Sequence, residues 1–123
     1  MTDAEIIEAV AVKVMLWERK DPVFLIGRGL APNSAWFSRS PDGKYEFGAS
    51  IIWNPLTNPA DREMVEDRLA ELFEFMSMEY SEGAPRFIFH ISRELPFVTF
   101  EAQADTRGMA VCLCALKSVG VEV

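Results

Sequence analysis

The stretch WFSRSPDGKYEF, residues 36–47, decides the fold class. Two aromatic segments flank a turn in which Pro41 presets φ and Gly43 supplies the positive φ that a hairpin connection requires. The pattern predicts two antiparallel strands, of which the second is expected to run from Tyr45 to Trp53. Gly48, inside that second strand, indicates a bulge or a close contact. An antiparallel sheet is therefore the first element of the predicted fold.

The residues before the hairpin predict a helix over 3–19. Thr2 or Asp3 can cap this helix, because a short oxygen-bearing side chain accepts from the first free N–H groups. A four, four, three spacing places four apolar residues on one face: Ile6, Val10, Val14 and Trp17. The apolar run 23–26 that follows predicts a short strand, and 28–35 has the composition of a loop.

A second helix is predicted from Pro59 to about Met78. Asn58 is a good N-cap, and proline is favoured at the first helical position because its missing N–H has no helical partner there. The expected core-facing stripe consists of Val65, Leu69, Leu72, Phe73 and Met76.

The C-terminal third predicts a second hairpin and a third helix. Residues 87–91 and 97–102 are apolar enough to be antiparallel strands, joined by a turn over 93–96. Asp105 or Thr106 then caps a helix that is apolar on every side from Met109 to Leu116. We therefore expect this helix to be the most buried one.

The predicted order is α-β-β-α-β-β-α, an α+β fold in which about four antiparallel strands pack with three helices. The length of 123 residues is typical of one domain, residues 1–123. Cys112 and Cys114 lie two apart on the third helix, so their side chains diverge by about 200° and cannot form a disulfide with each other. We expect both thiols to be reduced and buried.

Composition excludes several functions. Half of the residues are apolar, so the chain is not disordered, yet no apolar run approaches the roughly 18 residues of a membrane helix. The formal charge of −7 argues against direct nucleic-acid binding, which needs a cationic face. The acidic N-terminal segment has no basic region of the kind that begins a signal peptide.

Three segments carry recognisable motifs: ADTRGMAVCLCALKSVGVEV at residues 104–123, VKVMLW at 12–17 and WNPLT at 53–57. Together they resemble the phage ABA sandwich domain family, small proteins of tailed phages and prophages. ADTRGMAVCLCALKSVGVEV, residues 104–123, resembles the family ending A-D-T-x-x-x-A-[IV]-C-x-A-A-L-K-A-[VL]-G-[VI]-E. VKVMLW, residues 12–17, is similar to E-K-V-M-G-W, with Leu16 in place of glycine. WNPLT, residues 53–57, with Asp61 and Val65 behind it, resembles F-N-P-x-T-D and D-A-W-x-V-V-E-K.

The resemblance covers about half of the chain and implies an α/β/α-type sandwich of viral origin. Arg62 and Glu63 stand where the family has Ala-Trp, and residues 18–50 have no counterpart. The family is uncharacterised, and its recurrent positions are caps, turns and core residues, so the resemblance implies no functional site.

The acidic segment 59–82 is the sharpest functional feature of the sequence. Its eight acids and two arginines carry −6 of the total charge of −7. Carboxylates in a row on a rigid helix can imitate a phosphate backbone, and long-range attraction speeds encounter with a basic groove. An ordinary solvated helix face is the alternative. The candidate interaction residues are Asp61, Glu63, Glu66, Asp67, Glu71 and Glu74. Glu79 and Glu82 complete the count of eight acids.

The aromatic residues of the hairpin form a second candidate surface. Trp36 and Tyr45, with Phe37 and Phe47, alternate between the two faces of the sheet, so one face can expose aromatic rings. Packing of these rings into the core is the alternative.

No motif predicts catalysis, a metal site or a cofactor. His90 is the only histidine, and its position between Phe89 and Ile91 is typical of a structural or sheet-face residue. The sequence has no G-x-S-x-G elbow, no zinc or EF-hand spacing and no phosphate loop. A small enzyme is the third hypothesis, and it requires a pocket that gathers His90 with several carboxylates.

We therefore expect a non-catalytic phage or prophage accessory protein of the host cytoplasm that acts by binding another protein. Within that class the acidic segment favours an inhibitor of a host defence nuclease. The alternative is a small structural, assembly or oligomerising protein, which forms a homo-oligomer through an apolar sheet face. Neither hypothesis involves a cofactor, direct nucleic-acid contact or a membrane.

Overall fold

The structure is a computed structural model that describes residues 1–20, 25–26, 29–30, 34–83 and 86–122. Its helices are α1 (Asp3–Ala9), which continues as a π-helical turn (Val10–Val14), α2 (Pro59–Leu72) and α3 (Arg107–Ser118). Its strands are β1 (Trp17–Lys20), β2 (Leu25–Ile26), β3 (Gly29–Leu30), β4 (Ala35–Arg39), β5 (Tyr45–Ser50), β6 (Phe75–Tyr80), β7 (Phe87–Glu94) and β8 (Phe97–Ala104).

The described strands form two three-stranded antiparallel sheets, ordered β1-β4-β5 and β6-β7-β8, and the small ladder β2-β3. The predicted mixture of three helices with antiparallel strands is therefore confirmed. The count of about four strands in one sheet is wrong, because β1 and β6 were assigned to helices. Of the strand predicted over 23–26, residues 25–26 form β2, and residues 23 and 24 lie outside the described residues. Of the loop predicted over 28–35, residues 28 and 31–33 lie outside them, whereas residues 29–30 form β3 and residue 35 begins β4, so the loop prediction is wrong there.

The hairpin over 36–47 is confirmed. Gly43 has φ +85°, and the carboxylate of Asp42 accepts from the Ser40 hydroxyl and from the Lys44 N–H, which lowers the pKa of Asp42. The second strand ends at Ser50 rather than at Trp53, since residues 51 and 52 form a turn that the Trp53 N–H closes by donating to the Ser50 carbonyl at 3.0 Å.

Gly48 has both roles that were predicted for it. The register of β4 and β5 shifts between Trp36 and Phe37, where Trp36 faces Ala49 and Phe37 faces Phe47, so Gly48 is the extra residue of a bulge on β5. A Cβ at Gly48 would lie 2.8 Å from the Trp17 indole, so only glycine leaves room for this ring. Trp17 in turn packs edge-to-face on Trp53, with ring centroids 4.9 Å apart.

The predicted N-terminal helix over 3–19 is too long. Its capping box is present: Thr2 Oγ1 accepts from the Glu5 N–H, and Glu5 Oε1 accepts from the Thr2 N–H, both at 3.2 Å. After Val14, however, the chain turns at Leu16 and enters β1, which pairs with β4. The whole predicted stripe is buried, Trp17 included, but Trp17 reaches the core from a strand.

The chain turns at Leu16, whose backbone adopts the left-handed conformation with φ +59°. This conformation costs an L residue about 1–2 kcal/mol and costs glycine almost nothing. The Leu16 side chain is 60% exposed, so its removal sacrifices little packing. We expect Leu16→Gly to raise the free energy of unfolding by about 0.5–1 kcal/mol, measured by urea denaturation. Leu16→Ala, which keeps the strained φ, is the control and is expected to gain nothing; an equal gain in both variants would contradict the explanation.

The second helix is also shorter than predicted. Asn58 caps it as expected, its Oδ1 accepting from Ala60 and Asp61, and Pro59 opens it. The helix ends at Leu72 because Phe73 is extended, with φ −130° and ψ 145°, and its ring packs edge-to-face on Phe100. The helix was expected to include residues 75–80. These residues instead form β6, and all six of them pair with β7.

Helix α3 is the most buried helix, as predicted. Thr106 Oγ1 caps it by accepting from Met109, and Gly120 ends it at φ +82°. It packs on β7 and β8, on α2 and on the N-terminal π-helical turn. The continuous core around it also includes Trp17, Trp36 and Trp53 from the first half of the chain. Across the described part of the chain, no helix has the length and apolar character that a membrane crossing requires.

Candidate functional site

The acidic segment 59–82 does not form one surface, because the chain changes from helix to strand inside it. Five acids and two arginines lie on α2, which gives the helix a net charge of −3. Glu74 lies just beyond the helix end, Glu79 lies on β6 and Glu82 follows β6. The expectation that a single helix carries −6 is therefore wrong.

Asp61 has a structural role. Its Oδ2 accepts from the Asn54 N–H at 2.9 Å, while Asn54 Oδ1 accepts from the Leu56 N–H at 3.0 Å. These bonds hold the loop 54–57 against the first turn of α2. The helix dipole also favours a carboxylate at this position. Asp61 is thereby occupied by a contact within the chain.

Two further acids of α2 are paired with arginines of the same helix. Glu66 Oε1 lies 3.2 Å from Arg62 Nε, and Glu71 Oε2 lies 2.8 Å from Arg68 Nη1. Arg68 also donates from Nε to the Val14 carbonyl at 3.1 Å, which links α2 to the end of the π-helical turn. The Glu71 carboxylate stays largely exposed and Glu66 is half-buried, so both pairs remain in contact with solvent and each contributes little to stability.

Glu63 and Asp67 are exposed on α2. Together with Glu71 they form a row at i, i+4 and i+8, which we call the acidic row. Helix geometry places residues four apart one above the other, so the three carboxylates point the same way. Glu74 does not extend this row, since its Oε1 accepts from the Glu94 N–H at 3.4 Å, beside the sheet.

The aromatic cluster of the hairpin is divided between the two faces of its sheet. Trp36 is only 4% exposed and belongs to the main core, so the expectation that it contributes to a surface is wrong. Phe37 is completely buried on the opposite face, where half-buried Tyr45 packs against it. Lys20 and Arg39 lie over the Tyr45 ring, 4.8 and 5.7 Å from its centroid. Phe47, at 59% exposure, is the member of the cluster that reaches the surface most fully.

His90 lies on the outer face of the sheet β6-β7-β8, the face turned away from α3. Its Nδ1 is 3.4 Å from Glu101 Oε2 and its Nε2 is 3.7 Å from Glu79 Oε1, on the two neighbouring strands. The histidine therefore does meet two carboxylates, on a sheet face. It lines neither of two clefts of about 300 and 340 Å³, which lie between α2 and β6 and between α1 and β4.

The two cysteines are free and buried on α3, as expected from their spacing. Burial raises the pKa of each thiol to about 12, so both remain protonated at neutral pH and are poor nucleophiles. Cys114 Sγ also contacts the Phe100 carbonyl oxygen at 3.5 Å. Among the described residues, no three His, Cys, Asp or Glu side chains are grouped as metal ligands.

The sequence interpretation missed strand β6, which is the most exposed strand of its sheet. Five of its six residues are exposed, among them Phe75 at 54%, Met76 at 39% and Tyr80 at 60%. The available signal was the aromatic and methionine content of FMSMEY, residues 75–80. A helical stripe that included Phe73 and Met76 concealed that signal.

The whole chain shares its fold with a phage protein of known structure. No family model matches the sequence, and no curated protein matches it. Among solved structures, a phage protein from Bacillus cereus ATCC 14579, determined at 2.0 Å, aligns with 100% of this chain and 92% of its own, with a TM-score of 0.65 and 18% sequence identity. A likeness at this identity concerns the fold: the described elements form a mixed α+β architecture of the kind that this phage protein also adopts.

Proposed function

We propose that the chain is a non-catalytic phage accessory protein, related to the phage ABA sandwich domain family, that binds a basic protein of the host in the cytoplasm. A host defence nuclease is the class of target that we favour. The shared fold with a Bacillus phage protein supports the phage assignment. The single observation that carries the binding mode is the acidic row on α2.

The acidic row suits a basic groove because of its geometry. Val65 and Leu69 anchor α2 in the core, so the helix is held firmly while Glu63, Asp67 and Glu71 face solvent. Carboxylates on a fixed helix bind a cationic surface without the additional cost of ordering a flexible loop backbone. The formal charge of −7 adds long-range attraction that speeds the encounter.

The test removes the charge of the acidic row and keeps its shape. We expect the triple variant Glu63→Gln, Asp67→Asn and Glu71→Gln to bind a basic host protein with at least about tenfold lower affinity. The reason is that close charge pairs dominate such interfaces. The measurement is a pull-down from host lysate, followed by titration of the purified captured protein. Capture by the unaltered chain should also weaken as salt is raised, because exposed charges are screened.

The matched control changes the same number of charges elsewhere. Glu46, Glu82 and Glu122 are exposed, so replacing each with glutamine gives the same net charge as the triple variant. This control should retain capture. If both triple variants bind the host protein equally well, the acidic row is not the binding surface and the electrostatic proposal fails.

A further inference from the structure

We propose that the free edge of β6 pairs antiparallel with β6 of a second copy of this chain, so that two three-stranded sheets become one six-stranded sheet. The two-fold axis is perpendicular to the sheet and passes midway between the two copies of Met78. This inference concerns a surface separate from the acidic row and does not depend on the binding partner proposed above.

The hydrogen-bond pattern between β6 and β7 shows which backbone N–H and C=O groups of β6 point away from β7. The Ser81 N–H donates to the Arg86 carbonyl at 2.6 Å, so this pair is bonded across β6 and β7. Bonded and non-bonded pairs alternate along an antiparallel ladder, so residues 79, 77 and 75 also direct their backbone groups toward β7. Met76, Met78 and Tyr80 consequently direct their N–H and C=O groups outward, away from β7.

Among the described residues, the outer edge of β6 pairs with no strand and lacks the features that protect other edges. Natural sheets block edge-to-edge pairing with charges, proline, bulges or a covering element. The same alternation turns the Glu101 carbonyl outward on β8, and Lys117 Nζ caps it at 2.9 Å. In the other three-stranded sheet, β1 is charged at three of its four positions and β5 lies along the bulge. Strand β6 has one charged residue, Glu79, whose backbone points inward to β7, and no proline.

The sequence of β6 is complementary to itself in one register. With the axis at Met78, this residue faces its own copy and Met76 faces Tyr80 of the second copy. All three outward-directed residues then face outward-directed residues, which permits six new backbone hydrogen bonds. The side chains of these three residues lie on one face of the sheet, so apolar groups meet apolar groups.

The charged residue is also compatible with this register. Glu79 faces Ser77 of the second copy, so no carboxylate opposes another. Met76 and Met78 also line the cleft of about 300 Å³ between α2 and β6, so this cleft adjoins the proposed seam. A second copy of this chain is therefore the occupant that the edge fits.

A crosslink tests the register. In the proposed dimer the two copies of residue 78 form a bonded pair with Cα atoms about 5.5 Å apart, a distance that a disulfide spans. Met78→Cys should therefore give a covalent dimer under mild oxidation, while Ser77→Cys, which faces Glu79, should not. Cys112 and Cys114 are buried and do not compete. Equal crosslinking of both variants, or none with Met78→Cys, would overturn the register.

The affinity is measured by analytical ultracentrifugation of the unaltered chain and of two proline variants. Met78→Pro removes an outward N–H and is expected to weaken the dimer at least about tenfold, whereas Thr99→Pro makes the same change at the free edge of β8 and should leave it intact. Circular dichroism verifies that both variants fold. A strictly monomeric unaltered chain, or a dimer that Met78→Pro does not weaken, would overturn the proposal.

Salt separates this proposal from the proposed function. Two copies that each carry −7 repel one another, so the dimer should tighten as ionic strength rises. Capture of a basic partner by the acidic row should weaken under the same change. A dimer that dissociates with added salt would argue against edge pairing of apolar strands.

Discussion

Replacing Gly108 with alanine is expected to lower the free energy of unfolding by about 3 kcal/mol, near the upper end of the usual cost of overpacking. Gly108 lies in the first turn of α3, buried against the loop that precedes α2. A Cβ at this position would lie 2.2 Å from the Leu56 carbonyl oxygen and 2.7 Å from the Pro55 carbonyl oxygen. Both atoms are backbone, so the clash is relieved only by moving α3 away from the loop.

The measurement for Gly108→Ala is urea denaturation followed by circular dichroism. Gly83→Ala is the control, because the nearest atom to its added Cβ would be the Ser81 hydroxyl at 3.7 Å, in the range of ordinary contact. The control should change the free energy of unfolding by less than about 0.5 kcal/mol. A Gly108→Ala variant as stable as the control would show that α3 does not dock on this loop.

Truncating Leu69 to alanine is expected to cost about 3–4 kcal/mol of unfolding free energy. Leu69 is completely buried between α2 and the core, and such truncations lose both the transfer free energy of the side chain and the contacts around the new cavity. Leu72, three residues later on the same helix, is 38% exposed. The same substitution there should cost less than about 1.5 kcal/mol, because the site is already partly in contact with water.

This pair of variants also tests where α2 ends. A helix extended to Met78 would have used Leu72, Phe73 and Met76 as one buried stripe. The structure buries Phe73 from an extended backbone and leaves Leu72 near the surface. Equal losses for Leu69→Ala and Leu72→Ala in denaturant titrations would favour the longer helix.

Local signals in the sequence were read correctly because their chemistry is local. Thr2, Asn58 and Thr106 each accept from backbone N–H groups two or three residues ahead, which requires no distant partner. The same holds for the turn at Gly43. Helix α3 was also recognised from its own composition, since a helix that is apolar on every side has no stable position except the interior.

Strands β1 and β6 were misassigned because a strand depends on its partner. Trp17 is one turn beyond Val14 in a helical pattern, yet pairing with β4 and the space above Gly48 place it in a strand. Residues 75–80 likewise become a strand through their ladder with β7. Neither partner is visible in a local window of sequence, so periodicity alone favoured helices.

The candidate site was predicted in composition but not in arrangement. The sequence identified the acids of segment 59–82, of which Glu63, Asp67 and Glu71 do share one helix face. It did not reveal that Asp61 is bound to Asn54 or that Glu74 contacts β7. Trp36 was expected at a surface and is buried, because its face of the sheet covers the core.

By itself the sequence determined the helix caps, the two hairpins, the central apolar helix and the strong acidic charge, since each depends on residues close together in the chain. The tertiary structure alone decided where α1 and α2 stop, that six of the strands form two three-stranded sheets, and that no described strand pairs with the outer edge of β6. The physical reason is the same in each case. Backbone pairing between distant segments and burial against α3 outweigh local helical preference, and both depend on neighbours that only the folded chain brings together.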